Sequence, residues 1–173
     1  MSRPAWLRQA SKHLGLKEIS GPRHERKIIQ FFKDVGHAWV TDDETAWCAA
    51  FAGACLERAG IRSSRALNAR SYLTWGRKLT TPKVGCIVVF SRGSSAWQGH
   101  VAFYLSETKL SVRVIGGNQS NAVTIANYSK AKLLGYRWPD GIAKPKPQPQ
   151  EQVTIWSLLQ KWFPRFFGNT GGQ

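Results

Sequence analysis

Residues 46–59 read AWCAAFAGACLERA, a run that is apolar on nearly every helical face until Glu57. A surface helix keeps one polar side, so a helix without one must be covered from all directions and sits in the middle of its domain. Gly60 is placed to end it, because glycine readily takes the left-handed conformation found just past helix C-termini. Upstream, Thr41 and Glu44 have capping-box spacing, with Asp43 and Thr45 as competing N-caps. Downstream the period changes. Residues 84–90, 101–105, 111–115 and 123–125 are short β-branched or aromatic runs separated by Gly, Ser and Asn. A helix followed by a run of strands, without alternation of the two, predicts an α+β fold: a buried helix carrying Cys48 on a small antiparallel sheet.

Two helix-like segments, residues 4–14 and 23–34, precede this core, with the turn signal Ser20-Gly21-Pro22 between them. The first 40 residues hold eight Lys or Arg and read as a basic helical lead-in. At the other end, residues 141–152, GIAKPKPQPQEQ, carry three prolines at alternate positions, the mark of an extended linker. Beyond it, Trp156, Leu159, Trp162, Phe163 and Phe166 fall at helical spacing with Lys161 and Arg165 opposite, a cationic amphipathic helix bent at Pro164. Such a tail suits anionic membrane lipid, or docking on its own domain. Three units are expected: a domain over 1–140, a linker over 141–152 and a helical tail over 153–173.

With 173 residues and 42% hydrophobic content, the chain has material for a single core. Its 25 Lys and Arg against 10 Asp and Glu give a net charge of +15, which attracts any polyanion: nucleic acid, anionic lipid or bacterial envelope. Charge alone does not choose among them, and the eight Trp serve equally as stacking surfaces or as core. Cys48 and Cys55 lie seven apart on one helix, about 10 Å along its axis, too far for a disulfide. With Cys86 they make an odd set without metal-ligand spacing, so reduced thiols and no metal or cofactor are expected. The N-terminal residues lack the apolar stretch of a secretory signal, and no stretch suits a membrane span, so synthesis in a cytoplasm is expected.

A thiol becomes a nucleophile at neutral pH when a helix N-terminus and a neighbouring imidazole favour its thiolate. Cys48 stands near such a terminus. His100 opens a strand after the flexible stretch 92–99, where its ring can reach a facing helix end as general base. Asn118, in GGNQSN after the next strand, is the candidate to orient the imidazole, with Gln119 and Asn121 as competitors. Cys55 reads as a core residue.

Together, DETAWCAAF (residues 43–51), GHVAFYLSE (99–107), GGNQSN (116–121) and LGYRWP (134–139) resemble a CHAP-type, NlpC-related papain-like cell-wall hydrolase, over roughly residues 1 to 140. The resemblance implies a cysteine peptidoglycan hydrolase, an endopeptidase or amidase, with Cys48 as nucleophile, His100 as base, Asn118 as orienting residue and the Cys48 N–H in an oxyanion hole. ARSYLTWG (69–76) resembles the family's stretch beside the cleft, so Tyr72 and Trp75 are expected to line the groove or to serve as core, with Trp47 and Gln119 also expected at the substrate. One departure is Cys86 in VGCIVVF, where the family usually has an acidic residue. A phage endolysin acting as a monomer at the cell wall fits this reading, as do a virion-associated lysin and a secreted toxin effector, with peptidoglycan as partner and no specific nucleic acid. The rival readings are an inactive nucleic-acid- or membrane-binding module on a hydrolase-like fold, and a cysteine acyltransferase.

Overall fold

The computed structural model describes residues 3–141, and the expected linker and tail lie outside them apart from Gly141. Within this span three α-helices come first: α1 (Ala5–Ser11), α2 (Arg26–Asp34) and α3 (Cys48–Glu57). Six strands follow: β1 (Arg77–Leu79), β2 (Ile87–Ser91), β3 (Gly99–Glu107), β4 (Ser111–Gly116), β5 (Thr124–Ser129) and β6 (Leu133–Trp138). They form one sheet in the order β1-β6-β2-β3-β4-β5, antiparallel throughout. The fold is α+β, as the sequence pattern predicts.

The all-round apolar character of α3 decides the packing. Every residue from Cys48 to Leu56 is buried, because α3 lies against β3 on one side and against α1 and α2 on the other. Phe51 is the hub: its ring meets Phe31 of α2 at 5.3 Å, Trp47 at 6.2 Å and Phe103 of β3 at 6.5 Å. Gly53 lets α2 and α3 approach, since a Cβ there would fall 2.5 Å from Val35 Cγ1. Beyond the helix, Gly60 takes φ +76° and the Ile61 N–H returns to the Leu56 carbonyl, the expected termination.

The start of α3 differs from expectation. Its N-cap is Trp47, with no side-chain capping bond. Asp42 instead closes the preceding turn, accepting from the Glu44 and Thr45 N–H groups at 3.1 and 2.7 Å. Asp43 turns inward, wholly buried, and accepts from the N–H of Ile19 (2.9 Å), the N–H of Glu25 (2.8 Å) and His24 Nδ1 (3.0 Å). Burial opposes its charge, but these donors together hold the carboxyl below its usual range. One carboxylate thus ties the chain before α2 to the loop leading into α3.

The sheet also departs in detail. Residues 84–86 were expected in a strand, but Gly85 adopts φ +86° with Pro4 packed where its Cβ would be, so β2 begins at Ile87. Strands β1 and β6 were not anticipated. Leu134, Tyr136 and Trp138 alternate with Gly135 and Arg137 in β6, a pattern too short to stand out in the sequence, and pairing with both β1 and β2 holds it as a strand. From β5 a short turn leads into β6, whose Leu133 pairs with Phe90 of β2, so the sheet curls until β5 approaches β2.

Replacing Asp43 by Ala would leave two half-buried N–H groups and an imidazole without their acceptor. The expected cost is about 3 kcal/mol or more, read by urea unfolding; a loss under about 0.5 kcal/mol, typical of a surface change, would contradict the assigned role.

Candidate active site

Two elements meet at the first residue of α3. Cys48 is buried, and the backbone N–H groups of Val101 and Ala49 face its sulfur. Val101 directly follows His100 in β3, so the contact that seats the thiol also sets it beside the histidine's strand. Since no side chain caps α3, the partial positive charge of its first N–H groups is open to a thiolate or an oxyanion. Burial pushes the thiol up, and the Val101 and Ala49 N–H groups and the Arg92 charge oppose that rise.

His100 is also buried, and Gln119 fixes its chemistry. The Gln119 Nε2 donates to the Thr124 carbonyl at 2.7 Å and to Thr124 Oγ1 at 3.1 Å. A carbonyl can only accept, which orients the amide and turns Oε1 toward His100 Nε2 at 3.0 Å. His100 must then donate from Nε2, which leaves the lone pair on Nδ1. Burial first of all, with a smaller push from Arg92, lowers the imidazole to about 4 against the hydrogen bond it donates to Gln119. The resting histidine at neutral pH is therefore an uncharged base.

This corrects the expected orienting residue: Gln119, not Asn118, holds His100. Asn118 sits at φ +54° in a turn whose other residues Ser120 and Asn121 are also left-handed. That turn swings the Gln119 side chain inward, and Gly116 makes room, since a Cβ there would lie 3.0 Å from Gln119 Oε1. Asn121 is exposed and its carbonyl receives the Glu18 N–H, so it anchors the turn instead.

Of the residues expected to touch substrate, Trp47 and Tyr72 are fully buried core. Trp47 Nε1 donates to Glu18 at 2.6 Å, and Gly117 is confined beneath it, its Cβ position 2.5 Å from the indole. Trp75 is partly exposed, donates to the Arg62 carbonyl at 3.0 Å and lies edge-on to Tyr72. It borders a shallow hollow with Arg62, Ser64, Ser71 and Thr74. A second hollow, lined by Glu107, Arg113 and Asn127, lies at the end of β3 opposite His100 and holds no thiol. Cys55 and Cys86 are buried and pushed up by burial, Cys86 to about 12.

Two side chains were missed. Tyr128 stacks on the His100 ring at 4.9 Å and on Phe90 at 4.8 Å, both with planes 21° apart. Its place depends on the curl of the sheet, which no local pattern reveals. Arg92 fell in a stretch read as a flexible loop, yet the loop is pinned: Arg70 donates from Nε to the Gln98 carbonyl and from Nη2 to the Ser95 carbonyl.

Comparison with known proteins gives a family match over part of the chain and a similar solved structure. Residues 40–118 match the CHAP domain family, a span that includes Cys48 and His100 and stops just before Gln119. No curated protein matches. Among solved structures, the chain is similar to a protein from Staphylococcus aureus subsp. aureus Mu50 described as similar to lipoprotein, of the NLP/P60 family. The identity is 16% and the TM-score 0.38, over 70% of this chain and 44% of that one, so the chain spans less than half of that protein's length. Over residues 40–118, a little under half of its length, this chain is similar to the CHAP domain family.

Proposed function

We propose that this protein is a cysteine-dependent peptidoglycan endopeptidase or amidase in which His100 Nδ1 takes the proton of Cys48. The observation that carries the reading is the Gln119 relay: an amide whose orientation is set by Thr124 presents an acceptor to His100 Nε2, which makes Nδ1 the basic nitrogen. The thiolate attacks the carbonyl of the scissile amide, and the oxyanion is met by the uncapped N-terminus of α3, the Cys48 N–H included. His100 then gives its proton to the departing amine. Water, deprotonated by the same nitrogen, hydrolyses the thioester and restores the thiol. Thiol and imidazole both rest uncharged in this buried setting, so proton transfer accompanies substrate binding.

Within that reading we assign the chain the role of a phage endolysin acting at the bacterial wall. Its support is the similarity of residues 40–118 to the CHAP domain family together with a net charge of +15, which concentrates the protein on an anionic envelope. The tail, with Trp156, Leu159, Trp162, Phe163 and Phe166 on one stripe and Lys161 and Arg165 opposite, is proposed to add contact with anionic lipid.

On purified peptidoglycan, Cys48→Ala is expected to abolish turbidity loss and the appearance of new amino groups, a fall of at least about 10³-fold. Equal inactivity of native and variant protein on several wall types would favour a binding module instead. Gln119→Leu should lower kcat/KM by about 10²-fold, while Asn118→Gly, which suits the left-handed backbone, should leave it unchanged; the reverse order would restore Asn118 as the orienting residue.

The His100 protonation also marks stability. An unfolded imidazole gains its proton near pH 6.5, while the folded one waits until about 4. The unfolded state therefore binds more protons between these values, and stability falls with pH across that window by about 3 kcal/mol. In urea unfolding at pH 7.5 and 4.5, His100→Asn should show a correspondingly smaller acid loss than the native protein; equal losses would contradict the buried neutral histidine.

A further inference from the structure

Strands β2 and β3 pair in unbroken register from Ile87↔Phe103 to Phe90↔His100 and Ser91↔Gly99. The pairing continues one step further, because the Arg92 N–H reaches the Gln98 carbonyl at 3.4 Å. Side chains two apart on a strand share a face, so Arg92 stands on the same face as Phe90, and Phe90 is the direct partner of His100. This makes Arg92 the diagonal neighbour of the histidine, about 7 Å away between backbones and within easy reach of a guanidinium. Arg92 is exposed, whereas His100 and Cys48 beside it are buried. Among the described residues, none of the ion pairs involves Arg92. Its loop is held from beneath by the two Arg70 bonds to Gln98 and Ser95, so the guanidinium is presented from a fixed hairpin.

We propose that Arg92 is a specificity-determining residue that binds a free carboxylate of the substrate next to the bond cleaved. A planar guanidinium matches a carboxylate with two parallel hydrogen bonds, and an uncompensated cation at the mouth of a buried site favours the partner that neutralises it. The proposal deepens the hydrolase reading and rests on it for the identity of the substrate: acyl chains bearing a carboxylate beside the scissile carbonyl are preferred over their amidated counterparts. The Arg92 charge is also felt at Cys48, His100 and Tyr128 alike, as a cation facing all three would be.

The test uses the full chain and needs no hydrolysis. Alkylation of Cys48 by iodoacetate and by iodoacetamide is followed by peptide mapping, in the native protein and in Arg92→Gln. The ratio of the two rates cancels any change in thiol acidity and reports only the attraction of a carboxylate. It is expected to fall by about tenfold in Arg92→Gln and by less in Arg92→Lys. An unchanged ratio with a reactive thiol would overturn the proposal and leave the hydrolase reading standing. A thiol inert to both reagents would count against the hydrolase reading. Recognition is then read from the His100 ring resonances during titration with N-acetylglycine and its amide. A saturable shift with the acid alone, lost in Arg92→Gln, supports the carboxylate site, and its absence in the native protein overturns it.

Discussion

The burial of α3 on every side is the constraint from which the remaining architecture follows. A ten-residue helix with no polar face until its last residue cannot rest on a surface. It needs the sheet on one side and α1 and α2 on the other. Once sandwiched, its first residue is pressed against β3 at Val101, and a thiol with an uncapped helix end behind it meets the strand that carries the histidine. Asp43 supports the same junction from below by tying the chain ahead of α2 to the loop entering α3. The chemistry is thus located by packing, and packing also removes the water that would otherwise stabilise charges on Cys48 and His100.

Such burial shapes the proposed reactive pair. In an apolar setting both the thiolate and the imidazolium are disfavoured, so the site rests as two neutral groups. What distinguishes Cys48 from Cys55 and Cys86 is then not acidity, since burial pushes up all three thiols. It is the company of a histidine whose proton is assigned to the far nitrogen by Gln119 and whose ring is held flat by Tyr128. Arg92 adds an exposed charge felt at both residues, and a bound carboxylate would change the field in which the proton moves.

The helix, its terminating Gly60, the four strands β2 to β5 in outline, and the places of Cys48 and His100 at the starts of α3 and β3 were legible because each rests on a local pattern: an unbroken apolar run, a period of two, a residue at an element's start. What was not legible depended on turns and long-range pairing. Asn118 and Gln119 are adjacent, and only the three left-handed residues of the 118–121 turn decide which one faces inward. Asp43 has the composition of an N-cap and serves as an internal tie because three donors converge on it from residues 19–25. Trp47 and Tyr72 look like groove aromatics until the core closes over them. Strand β6 is strand-like only between its two partners, and Tyr128 enters the site only because the sheet curls. Arg92 is the instructive case, since the two-residue alternation from Phe90 already placed it beside His100, had the stretch not been read as loop.

The most direct measurement of the central claim is to trap the covalent intermediate. The protein is mixed with soluble peptidoglycan fragments, quenched in acid within the first turnover, digested and analysed by mass spectrometry. The account requires a thioester on the peptide containing Cys48, with the mass of the acyl portion of the cleaved fragment, absent in His100→Asn. Release of the amine product without any acyl group on Cys48, or an acyl group on Cys55 or Cys86 instead, would contradict it.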